Sequence, residues 1–568
     1  MLAVLKNSSF NAALLFNLLV DLFAVVSPTS PLPSTSVQPS GIVALRSPTA
    51  QLQGKTYTFD DESKASAFLG IPYAKPPVGG LRFKRPQPAD GWAGVRNASE
   101  FGSRCFYATL DDHGLKPSED CLFLNVFTPQ TVFSKARAPF FCSIDHSCFQ
   151  PFARLLPVFF YVHGGGFQVD NAALLGDENI CRYLNSKGVV VVTINYRLQL
   201  FGFLTIDEQT PGNAGLWDMR RALLWVRDNI DRFGGDPNAI TVGGQSAGSI
   251  ATDLLTISPQ TRDLFNQAIM FAGTKECRFT VNTAGNLRTN AVMWAKLRGF
   301  QTRPGEKTEA TPEKITIGYP EGSHFLANFT PITTPTLEEA FFLNKSLEEL
   351  RAEAPKKRVV AGVTEYEGLL FMISRPPTIN GFDYAKYYLS ASIYADNRMN
   401  ESVADAILSN FVNRSLPTDS VEFYRQSVAA LSDYFFNYPT WLMAKRRVEA
   451  AEAVFLYRFT YFKNGTLGNS RVLKFYAATH TLELPYFFGK SILPFGFQPD
   501  EEDAKKIEEF TSDPNGGRLV RWEPYAADAN GPYFLFGQNS TEDRSVGNFG
   551  DGRLELWDSL YAKYGLKD

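Results

Sequence analysis

The stretch with the clearest potential for chemistry is Gly-Gln-Ser-Ala-Gly at residues 244–248. The apolar run Ala239–Val242 precedes it, and a segment with helical character, Ser249–Leu255, follows it. A strand, a tight glycine turn and a helix are the context in which G-x-S-x-G presents a strained, exposed serine nucleophile. Because glycine and serine are common in loops, the motif alone also fits an ordinary turn with a satisfied serine. The chemistry that it predicts is covalent catalysis by Ser246.

A serine nucleophile needs a base, usually histidine, which a carboxylate orients. In one widespread arrangement the order along the chain is serine, then acid, then histidine. Of the five histidines, only His324 and His480 follow Ser246. His480 comes after the last predicted core strand, where a base belongs, whereas His324 lies in a polar stretch typical of a solvated loop. His480 is therefore the predicted base.

The acid must lie between the serine and the base. Glu367 comes just after the predicted strand Arg358–Val363 and beside Gly368. Most glutamates are simply solvated, and position favours Glu367 only modestly over its neighbour Glu365. On these grounds both carboxylates stay candidates.

A second glycine turn could stabilise the oxyanion of a tetrahedral intermediate. The run His-Gly-Gly-Gly at residues 163–166 follows a predicted strand, as oxyanion motifs of this type do. Gly165 and Gly166 can present bare N–H groups, and the N–H of Ala247 would supply a third. His163 is interpreted as structural rather than as the base. The alternative is a glycine-rich loop without a ligand, and the presence of two such turns after strands argues against it.

Apolar runs typical of strands alternate with helical patterns along most of the chain. This alternation predicts an α/β fold with a mostly parallel sheet covered by helices on both faces. Residues 215–233 have a helical period. Residues 280–350 and 380–450 are more helical and charged and are interpreted as insertions around the sheet. The predicted strands are Leu156–Val162, Val189–Ile194, Ala239–Val242, Gln267–Phe271, Arg358–Val363 and Val454–Phe459.

Length and composition narrow the possible functions. The 568 residues can bury a large core, and 44% hydrophobic with 20% charged residues is ordinary for a globular protein. A net charge of -3 without a long Lys/Arg run argues against nucleic acid as a partner. Neither Cys-x-x-Cys nor His-Glu-x-x-His occurs, so no metal site is predicted.

The N-terminus resembles a secretory signal peptide. Lys6 precedes an apolar run from Ala12 to Val26, and a Pro/Ser-rich stretch follows. Residues 1–27 are interpreted as a leader and residues 28–41 as a linker. A disordered leader or a marginal membrane segment is the alternative, but about 15 apolar residues are short of the roughly 20 that a span needs. Without a KDEL-like ending, we expect secretion or residence in the lumen of the secretory pathway.

Seven Asn-x-Ser/Thr sequons beyond the leader support export. A single sequon arises by chance, so only their number carries weight. The predicted N-glycosylation sites are Asn97, Asn328, Asn344, Asn400, Asn413, Asn464 and Asn539.

Several ordered motifs make residues 42–565 resemble the type-B carboxylesterases of the carboxylesterase/cholinesterase family. Besides the two glycine turns, the similar stretches are Phe68–Ala74, Ser118–Val126, Asn195–Leu198 and Phe233–Pro237. The resemblance implies a single domain with the α/β-hydrolase fold and no cofactor. It implies a catalytic triad of Ser246, Glu367 and His480. It also implies an oxyanion hole formed by Gly165, Gly166 and Ala247, and a disulfide between Cys105 and Cys121.

Some residues depart from the family pattern. Thr481 stands where the family often has glycine after its catalytic histidine, and Met219 stands where glutamine is usual. Gln199 and Leu200 interrupt a familiar Arg-Leu-Gly stretch. The segment 134–154 has no family counterpart and is interpreted as an inserted surface loop or as an artefact of how the chain was defined.

The substrate is narrowed by exclusion. Cholinesterases hold a quaternary ammonium over a Trp between their first two cysteines, and residues 106–120 contain no Trp. Cholinesterases also resemble one another in having a glutamate directly before the serine. This chain has Gln245 at that position. The expected substrate is a small-molecule ester with an apolar acyl or alcohol group. Gln245 also resembles the elbow of juvenile-hormone esterases, although one residue cannot carry that assignment.

The expected function is hydrolysis of carboxylic esters through an acyl-enzyme intermediate. One alternative is a non-catalytic adhesion or binding member of the same family, which would commonly lack the nucleophile. Another is a more specialised esterase, either lipase-like or juvenile-hormone-esterase-like. A lipase would need a mobile apolar lid, which the sequence does not locate.

Overall fold

A large mixed β-sheet organises the molecule in the computed structural model. The structure describes residues 35–107, 114–130, 155–207, 210–277, 282–283, 332–333, 342–373, 375, 378–394, 401–463, 473–491, 500, 502–503, 506–507, 522–526, 531–537, 544–550 and 552–564. The strands in these ranges are β1 (Ser36–Leu45), β2 (Ala50–Thr58), β3 (Lys64–Pro72), β4 (Val95–Asn97), β5 (Phe123–Pro129), β6 (Leu156–Val162), β7 (Val190–Ile194), β8 (Thr205–Asp207), β9 (Thr210–Pro211), β10 (Gly235–Gln245), β11 (Gln267–Phe271), β12 (Asn282–Thr283), β13 (Ile332–Thr333), β14 (Arg358–Thr364), β15 (Val454–Phe459), β16 (Tyr533–Phe536) and β17 (Arg544–Val546).

The order of strands in the main sheet is β1-β2-β3-β5-β7-β6-β10-β11-β14-β15-β16-β17, with β4 beside β2. In this order, the seven neighbouring strands β7, β6, β10, β11, β14, β15 and β16 run parallel to one another. The flank formed by β1, β2, β3, β5 and β7 is antiparallel. The carboxyl ends of parallel strands meet at one edge of a sheet, which is where ligands bind in open α/β sheets. The fold therefore provides one edge at which residues from distant parts of the chain can meet.

The central strands are apolar on both faces because both faces are covered. In β7, Val190 and Val192 pack into one hydrophobic core and Val191 packs into another. In β6, Phe160 and Phe159 divide between the same two cores. Successive side chains of a strand point to opposite faces, so a continuous apolar run is what a doubly covered parallel strand requires. The α/β fold with a mostly parallel sheet is thus confirmed.

The helices cover the sheet and link its strands. Within the described ranges they are α1 (Glu178–Tyr183), α2 (Gln199–Phe203), α3 (Ala214–Asn229), α4 (Ala247–Ile257), α5 (Leu347–Glu353), α6 (Leu369–Met372), α7 (Gly381–Tyr394), α8 (Glu401–Leu408), α9 (Val421–Ser432), α10 (Tyr438–Glu449), α11 (Leu484–Phe488) and α12 (Leu554–Lys563). The helical period read at residues 215–233 corresponds to α3 and a 3₁₀ turn, Ile230–Phe233. In the part of the chain that the structure describes, no helix combines the length and apolar character needed to cross a membrane.

The sheet begins earlier in the chain than the sequence suggests. Strand β1 starts at Ser36, inside the segment 28–41 that was expected to be a linker. The strand lies at the edge of the sheet and its register shifts between Pro39 and Ile42. Proline is tolerated at edges and irregularities because it has no N–H to donate to the ladder. A Pro/Ser-rich composition is therefore compatible with this strand.

The segments expected to surround the sheet are only partly described. The described part of residues 380–450 is mostly helical, as predicted, with α7 to α10 among its elements. Most of 280–350 lies outside the described residues, as does the segment 134–154 and the leader 1–27. The disulfide between Cys105 and Cys121 is present, with an S–S distance of 2.03 Å and a Cα–Cα distance of 4.9 Å.

Candidate active site

Ser246 lies at a sharp turn between β10 and α4, near the middle of the sheet. Its backbone has φ 55° and ψ -120°, a region that residues other than glycine rarely adopt. The Ser246 N–H donates to the carbonyl of Phe271 on β11, and its own carbonyl accepts from the N–H of Ile250 in the helix. The turn is thus fixed from both sides, which is how a strained conformation persists. The predicted strand–turn–helix context of the serine is confirmed.

The two glycines of the motif allow the strand and the helix to approach closely. A Cβ at Gly244 would lie 2.3 Å from the carbonyl oxygen of Gly248. A Cβ at Gly248 would lie 2.1 Å from the carbonyl oxygen of Val162 at the end of β6. Both distances are far below van der Waals contact, so any side chain at either position would force the backbone apart.

The glycine turn at residues 163–166 lies directly beside the serine. A Cβ at Gly164 would be 3.3 Å from Cβ of Ser246, which places the two turns in contact. Gly165 and Gly166 have φ of 83° and 63°, and the Gly165 carbonyl accepts hydrogen bonds from the next turn. Ala247 is buried at the start of α4. Gly165 and Gly166 therefore belong to the turn that contacts Ser246, and Ala247 directly follows the serine.

Glu367 comes just after β14, His480 follows β15 in the chain, and the two side chains are in contact. His480 Nδ1 lies 2.5 Å from Oε2 of Glu367, and the other carboxylate oxygen accepts from the Thr364 N–H at 2.5 Å. Glu367 is fully buried and His480 is 4% exposed. Glu365, the other candidate acid, instead continues the sheet through its N–H to Phe459. His324 lies outside the described residues.

The imidazole of His480 is packed between aromatic rings. Phe436 stacks on it with a ring-centroid distance of 4.5 Å and an interplanar angle of 30°, and Phe371 lies 6.0 Å away. Phe436 belongs to a π-helical turn, Asp433–Asn437, between α9 and α10. Such turns are often found at functional sites. No periodicity in the sequence indicated these two phenylalanines, although the high aromatic content agreed with an apolar pocket.

Gln245 contacts the opposite ring nitrogen of the histidine. Its Nε2 lies 3.1 Å from His480 Nε2, and the side chain is 1% exposed. The sequence had pointed to Gln245 only as a departure from cholinesterases. The available signal in the sequence was the long amide side chain directly before the predicted nucleophile.

His163 has a structural role, in agreement with its interpretation from the sequence. Its ring stacks on Tyr196 at 4.4 Å, and its Nδ1 donates to the Gly164 carbonyl at 3.2 Å. Burial lowers the pKa of His163 to about 3, and the hydrogen bond to Gly164 offsets this only in part. The ring is therefore neutral at ordinary pH and stabilises the glycine turn.

Two more buried acids lie near the site. Burial raises the pKa of Asp170, which follows the glycine turn, to about 7, while a hydrogen bond from the Asn171 N–H opposes the shift. Burial, with the nearby Glu367 carboxylate, raises the pKa of Glu483 well above its usual range. Among the described residues neither carboxyl oxygen of Glu483 has a hydrogen-bond partner. Both side chains are thus predisposed to the protonated state.

Two departures from the family pattern occupy left-handed backbone positions. Thr481, next to the histidine, has φ 79°, where glycine would be unstrained. Gln199 has φ 51°, and its N–H and side-chain amide donate to Phe167 and Gln168 in the glycine turn. Gln199 therefore supports this turn, although the sequence had marked it only as an interruption of the Arg-Leu-Gly stretch. Met219 is fully buried in the core.

The sequons are only partly within the described residues. The side chains of Asn97 and Asn413 are exposed, and Asn344 is half-buried. Asn328, Asn400, Asn464 and Asn539 lie outside the described residues. Within the described ranges, no cluster of three or more His, Cys, Asp or Glu side chains could hold a metal ion.

The fold and this site define a class of protein. A parallel sheet, a G-x-S-x-G turn after a central strand and a histidine from a later strand end are the features of an α/β-hydrolase. The sequence profile of the Carboxylesterase family matches residues 40–555. The chain therefore belongs to the carboxylesterase family, as its motifs predicted, and the predicted class of carboxylic ester hydrolases is confirmed.

Three similar proteins cover between 72% and 91% of this chain. Esterase cest-33 of Caenorhabditis elegans is 34% identical over 552 residues, covering 91% of this chain and 94% of that protein. Gut esterase 1 of Caenorhabditis briggsae is 30% identical over 545 residues, covering 88% and 91%. Acetylcholinesterase-1 of Trittame loki is 33% identical over 444 residues, covering 72% and 74%.

Proposed function

We propose that this protein hydrolyses small carboxylic esters through an acyl-enzyme intermediate on Ser246. The observation that carries the proposal is the position of His480, whose Nδ1 is hydrogen-bonded to buried Glu367 while its Nε2 faces the serine turn through Gln245. A base oriented in this way can accept a proton from the serine.

In the first step, Ser246 Oγ attacks the ester carbonyl and His480 Nε2 accepts the hydroxyl proton. The carbonyl electron pair moves onto oxygen, and the N–H groups of Gly165, Gly166 and Ala247 are proposed to stabilise that oxyanion. Glu367 orients the ring and stabilises the imidazolium. His480 then returns the proton to the departing alcohol as the carbon–oxygen bond breaks, which leaves an acyl-enzyme.

In the second step, water attacks the acyl-enzyme while His480 accepts a proton from it. Collapse of the second tetrahedral intermediate returns that proton to Ser246 and releases the carboxylic acid. Each cycle consumes one ester and one water and leaves the enzyme unchanged. The cycle uses only side chains and backbone groups of the chain.

The test is hydrolysis of aryl esters of graded acyl length by wild type and Ser246→Ala. We expect activity in wild type and a loss of several orders of magnitude in the variant, because only the oxyanion donors and binding would remain. A matched control is Ser186→Ala, which makes the same chemical change on an exposed serine. Equal activity of wild type and Ser246→Ala would refute the mechanism.

A non-catalytic binding protein on the same scaffold is the alternative function. Retention of the serine, together with a histidine that is hydrogen-bonded to a buried acid, supports the enzyme instead. Labelling of Ser246 by a fluorophosphonate, located by mass spectrometry of the digested protein, separates the two. A folded wild type that neither hydrolyses esters nor accepts the label would favour the binding protein.

We also propose an apolar ester substrate and a location in the secretory pathway. Phe371 and Phe436 beside His480 support an apolar acyl or alcohol group. The disulfide between Cys105 and Cys121 supports an oxidising compartment, and the exposed sequon at Asn97 is accessible to glycosylation. We further propose that residues 42–565 form one domain. Sensitivity of the secreted protein to an N-glycosidase would test the location.

A further inference from the structure

The two ring nitrogens of His480 have different partners in the structure. Nδ1 lies 2.5 Å from the Glu367 carboxylate, and an ionised carboxylate can only accept, so Nδ1 carries the proton. Nε2 of the neutral ring is then an acceptor with a single lone pair. This is the lone pair that the Ser246 hydroxyl needs in the proposed reaction.

That lone pair is engaged by Gln245. The Gln245 amide nitrogen lies 3.1 Å from His480 Nε2, and only an NH₂ group can face an acceptor favourably, so Gln245 is the donor. Ser246 Oγ makes no hydrogen bond to any residue in the part of the chain that the structure describes. In this state the base is therefore bound to the amide and not to the nucleophile.

In this resting state, the surroundings of Gln245 direct its amide toward His480. Gln245 is the last residue of β10, where it pairs with Phe271 of β11. Its side-chain oxygen lies where Gly164 leaves space, since a Cβ there would be 2.5 Å from it. The side chain is thus enclosed between the glycine turn and the imidazole.

We propose that Gln245 is a resting-state partner of His480 that competes with Ser246 for Nε2, so that substrate entry must turn the amide away before acyl transfer. The proposal rests on the proposed function. When Nε2 accepts the serine proton it becomes a donor, and an amide N–H in the same place would oppose it. The amide must therefore leave or present its oxygen instead. Gln245 is a positioning residue, which limits how often the base and the nucleophile meet.

The experiment measures the second-order rate at which a small alkyl fluorophosphonate labels Ser246 in the full-length protein. Gln245→Met keeps the length of the side chain but cannot donate a hydrogen bond. We expect labelling about fivefold faster than in wild type, because a competing hydrogen bond is removed; at about 1.4 kcal/mol per tenfold this equals about 1 kcal/mol. Labelling equal to or slower than that of wild type would overturn the proposal.

A second variant separates competition from damage to the fold. Gln245→Leu also lacks a donor, and it differs from methionine in shape, so acceleration of both variants is expected. Loss of structure would slow labelling in both. Gln426→Met makes the methionine substitution on α9, away from the site, and should label at the wild-type rate.

The outcomes also separate this inference from the function on which it rests. A folded wild type that the probe does not label at Ser246 would refute the proposed function. Labelling of wild type but not of Ser246→Ala, without acceleration in either Gln245 variant, would refute this inference alone.

Discussion

Two buried carboxylates with different partners show how this protein separates structure from chemistry. Asp253, on α4 behind the serine, accepts from Arg351 at 2.8 Å, from Arg447 at 2.6 Å and from the Lys275 N–H at 2.9 Å. Glu367 accepts from one backbone N–H and from His480. Both side chains are fully buried.

The difference lies in whether the partner can lose its charge. Burial opposes the ionisation of Asp253, but Arg351, Arg447 and Lys275 outweigh it and hold its pKa well below the usual range. Guanidinium groups stay protonated in proteins, so this cluster is permanently charged and serves to join α4, α5 and α10. A histidine can gain and lose a proton near neutral pH. A buried carboxylate is therefore structural beside arginine and available for proton transfer beside histidine.

The largest effect that this comparison predicts is on catalysis. Glu367→Gln keeps the shape of the side chain but removes the charge that stabilises the imidazolium. We expect kcat/KM for an aryl ester to fall by about 10³–10⁴-fold, with unfolding in urea little changed. A fall of less than tenfold would show that Glu367 is structural, like Asp253.

The converse change should affect stability and spare the chemistry. Asp253→Asn leaves Glu452 as the remaining carboxylate partner of the two buried guanidinium groups, which should lower the free energy of unfolding by about 3 kcal/mol. Urea denaturation would measure this loss. The kcat of the remaining folded enzyme should stay close to that of wild type. A large fall in kcat with unchanged stability would break the comparison.

Asp170 adds a buried acid without a cationic partner among its hydrogen bonds. Its pKa is raised to about 7 in the folded protein, so the folded state binds more protons than the unfolded state between pH 4 and 7. Stability due to this group is present below pH 4 and lost as pH rises through 7. In Asp170→Asn the side chain cannot ionise, so stability is not lost as the pH rises. The amide oxygen of the introduced asparagine can still accept a hydrogen bond from the Asn171 N–H. We expect the variant to be about 2–4 kcal/mol more stable than wild type at pH 8.

Chemical denaturation at pH 4 and at pH 8 would check this prediction. The two proteins should have similar unfolding free energies at the lower pH, where both side chains are neutral. If the unfolding free energies of the two proteins differed equally at pH 4 and pH 8, Asp170 would not titrate between these pH values. Packing would then account for the change.

Glu483 should give the smallest effect of the series. Its pKa is raised well above the usual range by burial and by Glu367, so we expect the side chain to be neutral at pH 7. Glu483→Gln replaces one neutral group with another. At each pH, kcat/KM of the variant should stay within about threefold of the wild-type value. If Glu483 were instead ionised, the substitution would shift the pH at which kcat/KM changes.

Local sequence patterns predicted the strands and the elbow because both depend on neighbouring residues. The choice between Glu365 and Glu367 was beyond them, since both follow the same strand. The choice depends on contacts with a distant segment: the Tyr366 N–H donates to the Ala478 carbonyl, and Glu367 is buried against His480. Phe436 was also missed, because its π-helical turn departs from the 3.6-residue period by which helices are recognised.

The charged cluster around Asp253 was not predictable for another reason. Its partners Arg351 and Arg447 are 98 and 194 residues away in sequence, and no local pattern specifies such a pairing. Such contacts follow only from the order of the strands in the sheet.

The hydrogen bonds that assemble the candidate site also have a consequence for folding. His480 is 113 residues from Glu367 and 235 residues from Gln245, so the bonds between them require the late strand β15 to have docked. Contacts of such long sequence separation form slowly. A chain still emerging from the ribosome, or an early folding intermediate, would have the serine turn without its base. The appearance of catalytic activity during refolding would therefore time the end of folding rather than the initial collapse.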